Sequence, residues 1–366
     1  MPKPSIPGAS NEAMTLLSTL LLSPEAGDPL SPVATTLRTM SKEQFDALVA
    51  LAHSNHVVVR GLETVREIML AANDPVRAEW AASAIATERA RIAAALESLR
   101  PISDAFDQEG LDLTVMKTLD HWPDFGSDID LYTNASPQAV SALMQKRFNA
   151  TIAYRSWGDR LACKWNFDIP GLPDPVEVHI GRLGQTGEQM VLASRLPGRS
   201  RPVELDGQTY RVPSASDRIM ISTLQRMYRH FYFRLCDIVD SSTLIASGAL
   251  DFVELRSSAK ACGIWEGVAT YLVIVSDYVL RYRGTDLGLP AFVKESARFD
   301  GKIVYFGGSF IRVPIMPQSV GLYRSQFAGL LRRRELQSTA RLGLLPWLAT
   351  AAAIGYKITG SDKGIW

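Results

Sequence analysis

From Ser41 to Gly110 the apolar residues recur every three or four positions, through "SKEQFDALVALAHSN" and on to "ARIAAALESLRPISDAFDQEG". That spacing lays an apolar stripe along a helix and predicts several helices over 41–110. Ser41 with Gln44 three residues on is a capping-box arrangement, which sets the first helix start. Beyond Gly110 the period shortens. "LDLTVMK", "SDIDLYT", "NATIAYRS", "DRLACKWNFDI", "DPVEVHIG" and "QTYRVP" are alternating or β-branched runs parted by Pro, Gly, Asp and Asn, which predicts strands. Between them "SPQAVSALMQKRF" predicts one helix, with Ser136 as N-cap and Pro137 in its first turn. From Ser214 onward "SASDRIMISTLQRMYRHFYFRLCDIVDSSTLI", "DFVELRSSAKACG" and "WEGVATYLVIVSDYVLRYR" return to the helical period.

The resulting fold class is α+β, a small mixed sheet flanked by helical regions on both sides. Five pieces follow along the chain. Residues 1–40, rich in Pro, Ser and Gly, read as a loosely attached lead-in. Residues 41–110 form the first helical region, 111–213 the α/β core and 214–300 the second helical region. Residues 301–366 form an extension with an amphipathic and then apolar helix. In that extension "LGLLPWLATAAAIGYKITG" is too short in its apolar part to span a bilayer and is interrupted by Pro346. A helix packed on the body is expected there. Basic "RSQFAGLLRRRELQSTAR" before it makes peripheral membrane contact the less favoured alternative.

The 366 residues carry 39 Lys+Arg against 38 Asp+Glu, a formal charge of +1, so no global excess of positive charge argues for a long nucleic acid as partner. Three widely spaced cysteines, Cys163, Cys236 and Cys262, fit neither a disulfide framework nor a metal-ligand spacing. "MPKPSIPGASNEAM" has no basic region followed by an apolar one. A reduced, cytoplasmic chain is expected.

The chemistry gathers in "TVMKTLDHWPDFGSDIDLYTN". In a strand, residues two apart face the same way about 6.6 Å apart, so Asp128 and Asp130 would aim at one place. Uncompensated, one of them would take up a proton; a divalent cation such as Mg²⁺ removes the conflict. Alone, the triplet reads equally as two solvent-facing acids. Glu177 in "DPVEVHIG" supplies a third carboxylate, the number that holds two cations. His179 beside it reads as a satisfied, partly buried histidine. The turn after "LDLTVMK" offers backbone N–H groups, Lys117 and the Thr118 hydroxyl to a triphosphate. Gly126 and Ser127 set the bend ahead of Asp128. Arg226, Arg229, His230 and Arg234 read either as a basic wall for an anionic substrate or as internal partners of Asp237 and Asp240.

Taken together, "VMKTL", "SDIDLY" and "PVEVHIG" resemble the DNA polymerase β-like nucleotidyltransferase superfamily. They are most similar to its uncharacterised bacterial family with the pattern "LKG…DIDL…VElHw", over roughly residues 42–285. The resemblance implies metal carboxylates at Asp128, Asp130 and Glu177, and a phosphate-turn lysine at Lys117. Thr118 stands where the family has glycine. It further implies a Mg²⁺-dependent (two ions, Mn²⁺ as substitute) transfer of a nucleoside monophosphate from an NTP, expected to be ATP. A small molecule or protein would be the acceptor. Lys117, Thr118, Ser127, Arg229, His230 and Arg234 would contact the nucleotide. The alternative is a catalytically inactive relative that binds nucleotide or a partner.

Overall fold

The structure is a computed structural model that describes residues 7–172, 175–184, 187–345 and 347. Five helices open it: α1 (Pro7–Leu22), α2 (Pro32–Thr39), α3 (Lys42–Ser54), α4 (Val58–Ala71) and the long α5 (Pro75–Gln108). The sheet region holds β1 (Thr114–Val115), β2 (Ile129–Thr133), α6 (Pro137–Phe148), β3 (Thr151–Ile152), α7 (Trp157–Leu161), β4 (Lys164–Asp168) and β5 (Val176–Ile180). Next come α8 (Gly187–Arg199) and the hairpin β6 (Arg201–Leu205) and β7 (Gln208–Val212). The C-terminal part runs α9 (Ala215–Thr223), β8 (Tyr232–Phe233), α10 (Leu235–Ala246), α11 (Phe252–Cys262), α12 (Trp265–Arg283) and α13 (Ala291–Ser296). It ends in β9 (Tyr305–Gly307), β10 (Phe310–Arg312) and α14 (Val320–Arg332).

The α+β class holds. The five-stranded sheet has the order β1-β2-β5-β4-β3, with β2 and β5 parallel and the other pairs antiparallel. All six strand-like runs contain a strand. The Ser41–Gln44 box closes in both directions at the start of α3, and Ser136 caps α6 by accepting from the Ala139 N–H. Asp130 of β2 lies in register with Glu177 of β5, and Tyr132 with His179. Parallel pairing therefore delivers acids from two distant stretches to one edge of the sheet.

Two apolar clusters support this edge. One packs α5, α6 and the sheet through residues such as Phe106, Phe125, Leu131 and Val178; the other joins α1–α4 to α9–α12. Residues 7–40 differ from the loose lead-in expected of 1–40. Met14, Leu17, Leu20 and Leu22 of α1 are buried in the second cluster, and Ser18 Oγ lies 2.6 Å from Tyr278 Oη of α12. The Pro and Ser residues that read as loose instead act locally: Ser31 caps α2 and Pro32 sits in its first turn.

Helix α12 is buried along most of its length, and at Gly267 the Tyr228 side chain of the α9–α10 connection lies against its backbone. A Cβ at Gly267 would stand 2.2 Å from Tyr228 Oη and 2.6 Å from its ring carbon Cζ. Gly267→Ala is expected to destabilise the fold by about 1–3 kcal/mol, read as a lower urea midpoint, because the Tyr228 ring must move. Among the described residues no helix is long and apolar enough to cross a membrane. Most of the apolar stretch 342–360 lies outside the described residues.

Candidate active site

Chain direction reverses sharply between β1 and β2, and the reversal begins at Lys117. Its φ of 54° and ψ of −53° belong to the uncommon, strained form of γ-turn, in which the Thr118 N–H donates to the Met116 carbonyl. Strain of this kind at a lysine persists only where the surroundings enforce it. Two contacts do so: the Lys117 N–H donates to Asp120 Oδ2 at 3.1 Å, and Lys117 Nζ reaches Asp130 Oδ1 at 2.5 Å. A 3₁₀ turn, Thr118–His121, follows at the position expected for a phosphate-facing turn.

The acids do converge on one pocket, whose wall includes Asp128, Asp130, Glu177, Lys117 and Lys164. Asp130 sits between Lys117 and His179, whose Nε2 lies 3.6 Å from its Oδ1. Glu177 is bound on both oxygens: His179 Nε2 at 2.7 Å from Oε1 and Lys164 Nζ at 2.8 Å from Oε2. Burial alone would raise the Glu177 pKa, but the His179 hydrogen bond and the charges of Lys117 and Lys164 hold it well below the carboxylate range. Asp128 is the opposite case. It stands just ahead of β2, accepts from Ser127 Oγ at 3.2 Å, and has no ion-pair partner among the described residues. The charge of Asp130, with burial second, pushes it up to about 6. One of the two aspartates thus shows the frustration a cation would relieve.

The opposite wall comes from the α9–α10 connection, where the expected single helix breaks. Residues Leu224–His230 form a wide π-helical turn, Phe231 takes a left-handed φ of 55°, and β8 pairs with β10 before α10 begins. Arg226, Arg229, His230 and Arg234 all face the pocket. Their two readings divide between them. Arg226 is buried and paired with Asp237 at 2.7 Å, while Arg229 has no ion pair among the described residues. Arg234 Nη1 lies 2.5 Å from His56 Nε2 and has no acidic partner among the described residues. Two guanidinium groups therefore face Asp128 and its neighbours without acids of their own.

The sequence matches the family of uncharacterised nucleotidyltransferases over residues 41–279. The chain belongs to this nucleotidyltransferase family. Nucleotidyl transfer is the general activity of the group. A search of curated proteins finds no match.

Within this nucleotidyltransferase, one sequence expectation needs correction. Thr118 does not offer its hydroxyl to a phosphate. The residue is fully buried, and its Oγ1 accepts from the Asp130 N–H at 2.8 Å and donates to the Asp128 carbonyl at 3.2 Å. With both capacities used on β2, it positions the acids. Ser127 is exposed beside Asp128, and His230 is pushed down to about 3 by burial and Arg229, so it stands in the pocket wall as a neutral imidazole near neutral pH. His179, expected to be partly buried and satisfied, is fully buried; its Nε2 belongs to the acid cluster and its Nδ1 has no hydrogen-bond partner among the described residues. Asp130, Glu177 and His179 bring one ligand-type atom each within 4.8 Å of one another, a spacing compatible with a metal ion.

Sequence reasoning passed over Lys164, Arg218, Arg60 and the histidines His56 and His121. Lys164 could have been found, because it sits in register with His179 across the β4–β5 pair. The others could not. Arg60 Nε binds Asp124 at 2.8 Å, and its Nη1 binds Asp240 at 2.7 Å. Asp240 in turn meets His121 Nδ1 at 2.5 Å, tying α4, the 3₁₀ turn and α10 together. Arg60 neutralises Asp240, so the His121–Asp240 contact is a brace of the pocket floor.

These histidines shape stability against pH. Burial and Arg234 push His56 down to about 2, and His230 falls to about 3. Burial opposes charge on His121, but Cys236 and Asp240 lift it well above the usual value. Between pH 6.5 and 5 the unfolded chain protonates all three, whereas in the fold His56 and His230 stay neutral, His121 already holds its proton and Asp128 takes one up. The difference is one proton, so stability falls as pH drops, by roughly 1.4 kcal/mol per unit. Above pH 6.5 only the folded His121 keeps its proton, and stability falls again as pH rises. A urea-midpoint profile peaking near pH 6.5 is expected; a monotonic rise from pH 5 to 8 would contradict these assignments.

Proposed function

We propose that this protein is a divalent-metal-dependent nucleotidyltransferase. It transfers a nucleoside monophosphate from an NTP, expected to be ATP, to a small-molecule or protein acceptor and releases pyrophosphate. The observation that carries the reading is the in-register pairing of Asp130 with Glu177 beside Asp128, in a pocket also lined by Arg229 and Arg234, which have no acidic partner among the described residues. Asp128, Asp130 and Glu177 would hold Mg²⁺ or Mn²⁺, and the raised Asp128 pKa supports that donor set, because a dication offsets the like charge behind it. Bound metal supplies charge neutralisation at the triphosphate and the departing pyrophosphate.

In this reading an acceptor oxygen forms a bond to the α-phosphorus and the bond from α-phosphorus to the bridging oxygen of pyrophosphate breaks. Arg229 and Arg234 meet the triphosphate oxygens. Lys117 exchanges Asp130 for a phosphate oxygen, a move its flexible stem allows. Glu177 contributes charge rather than proton acceptance, since its pKa is held so low. With Asp128 in the donor set, the acceptor proton passes to solvent rather than to a carboxylate of the cluster. The absence of an extended basic stripe in the sequence disfavours a long nucleic acid as acceptor. Cys163, Cys236 and Cys262 form no disulfide among the described residues, which fits the cytoplasmic setting of this reading.

One observation favours the second reading, an inactive relative that binds nucleotide or a partner. Lys117 and Lys164 place ammonium groups on Asp130 and Glu177, where cations would act. Incubation with each α-labelled triphosphate, a divalent salt and cell extract separates the two. Label transfer that disappears in Asp128→Asn/Asp130→Asn supports the enzyme. Calorimetric binding of ATP with no transfer or pyrophosphate release across acceptors supports the binding module. Transfer undiminished in the double variant rejects the mechanism.

A further inference from the structure

The helical residues 336–345, with Trp347 just beyond, present their polarity inside out. Ser338, Thr339 and Leu342 are buried against the body, while Leu336 is 70 % exposed, Leu344 56 % and Trp347 75 %. With exposed Ala340 they fall at i, i+4, i+8 and i+11, one stripe along one helical face. Leu331, Ile315 and Met316 are also exposed nearby in sequence. Most of the apolar stretch for which a packed helix is expected lies outside the described residues; residues 336–345 are packed on one face only.

The charge around the stripe is as biased as its polarity. Residues 312–347 contain six arginines, Arg312, Arg324, Arg332, Arg333, Arg334 and Arg341, and one acid, Glu335. The segment carries +5 in a chain whose total is +1. Arg324, Arg332 and Arg334 are exposed, and Arg333 pairs with Glu335 at 2.7 Å. An apolar stripe ending in tryptophan and flanked by arginines, too short to span a bilayer, has the composition of a helix that lies in a lipid interface. Arginine stems run along apolar surface while their heads reach phosphate.

We propose that this face docks on an anionic lipid surface, with Leu336, Leu344 and Trp347 in the acyl boundary and Arg332 and Arg334 on the headgroups. The proposal is independent of the reading of the pocket. It is tested by co-sedimentation of the full chain with vesicles of phosphatidylglycerol and phosphatidylcholine, against phosphatidylcholine alone.

The expected result is partition to the anionic vesicles that weakens with salt. It should drop roughly tenfold or more in Arg332→Glu/Arg334→Glu and in Leu336→Ser/Leu344→Ser. Melting temperature and ATP binding should stay unchanged in both variants, so a failed pocket and a failed docking face are told apart. Equal binding to both vesicle types, no binding, or binding indifferent to the variants overturns the proposal. So does a lower melting temperature in Leu336→Ser/Leu344→Ser, which would mean the chain itself covers the stripe. A concentration-dependent dimer abolished by that variant, without vesicle binding, would assign the face to a second copy and equally overturn it.

Discussion

Asp128→Asn is expected to make the protein more stable and to abolish nucleotidyl transfer. The two effects come from one cause. A carboxyl whose pKa is raised in the fold holds its proton more tightly there than in the unfolded chain, so it opposes folding increasingly as pH rises from its unfolded value and fully once pH passes its folded value. For Asp128 that value is about 6, set first by the charge of Asp130. At pH 7.5 the opposition is fully present, and removing the charge should return up to about 3 kcal/mol. The denaturation midpoint of the variant should therefore exceed that of the parent in metal-free buffer. Transfer should fall by roughly 10³-fold or more, the loss that follows when several kcal/mol of charge stabilisation disappear. Mg²⁺ should raise the melting temperature of the parent by linkage and leave the variant unmoved. A variant that is less stable than the parent, or that keeps transfer within tenfold, would mean that Asp128 is a structural acid and that the metal lies elsewhere.

How far this could be read in advance depended on the range of the interaction that decides each feature. Strands and the acid triplet were legible because alternation and spacing are local properties. Ile129 and Leu131 are fully buried, as their alternation with the acids required. The meeting of Asp130 and Glu177 needed one further inference, that two short strands 47 residues apart are neighbours, and the motif resemblance supplied it. The break after His230 was hidden because "YRHFYFRL" keeps a helix-compatible mix of apolar and basic residues. What breaks it is β10, whose Ile311 pairs with Phe233 nearly eighty residues away. The His121–Asp240 contact spans 119 residues and left no local trace. Thr118 was misread because its hydroxyl is claimed by the backbone of the strand it was thought merely to precede. Leucine content outweighed Pro and Ser content in α1 because burial depends on which residues face the core, and "AMTLLSTLLL" supplies enough of them.

The break at His230 also locates the position of greatest structural leverage. Arg226 lies inside the π-helical turn with its side chain 5 % exposed, and its Nε is 2.7 Å from Asp237 Oδ2, itself 4 % exposed. The same Asp237 oxygen accepts from the Arg234 N–H at 2.7 Å and so starts α10. The guanidinium also lies over the Tyr232 ring, 5.5 Å from its centroid. Arg226→Met keeps much of the volume but leaves Asp237 charged and buried without its cation. Breaking a buried pair from one side costs about 3–5 kcal/mol, far more than the pair contributes net. A fall of that size in the urea unfolding free energy is expected. Asp237→Asn added to Arg226→Met should recover more than half of it, because asparagine still caps the helix while the stranded charge is gone. The functional consequence exceeds the loss of one positive charge. Arg229 and Arg234 follow Arg226 along the connection it anchors, so ATP affinity should fall in Arg226→Met even where the protein remains folded. The double variant should regain stability without regaining that affinity in full, since the π-turn has lost its buried tether. A single variant that loses less than about 1 kcal/mol would show instead that Asp237 finds another partner and that the wall of the pocket does not depend on this pair.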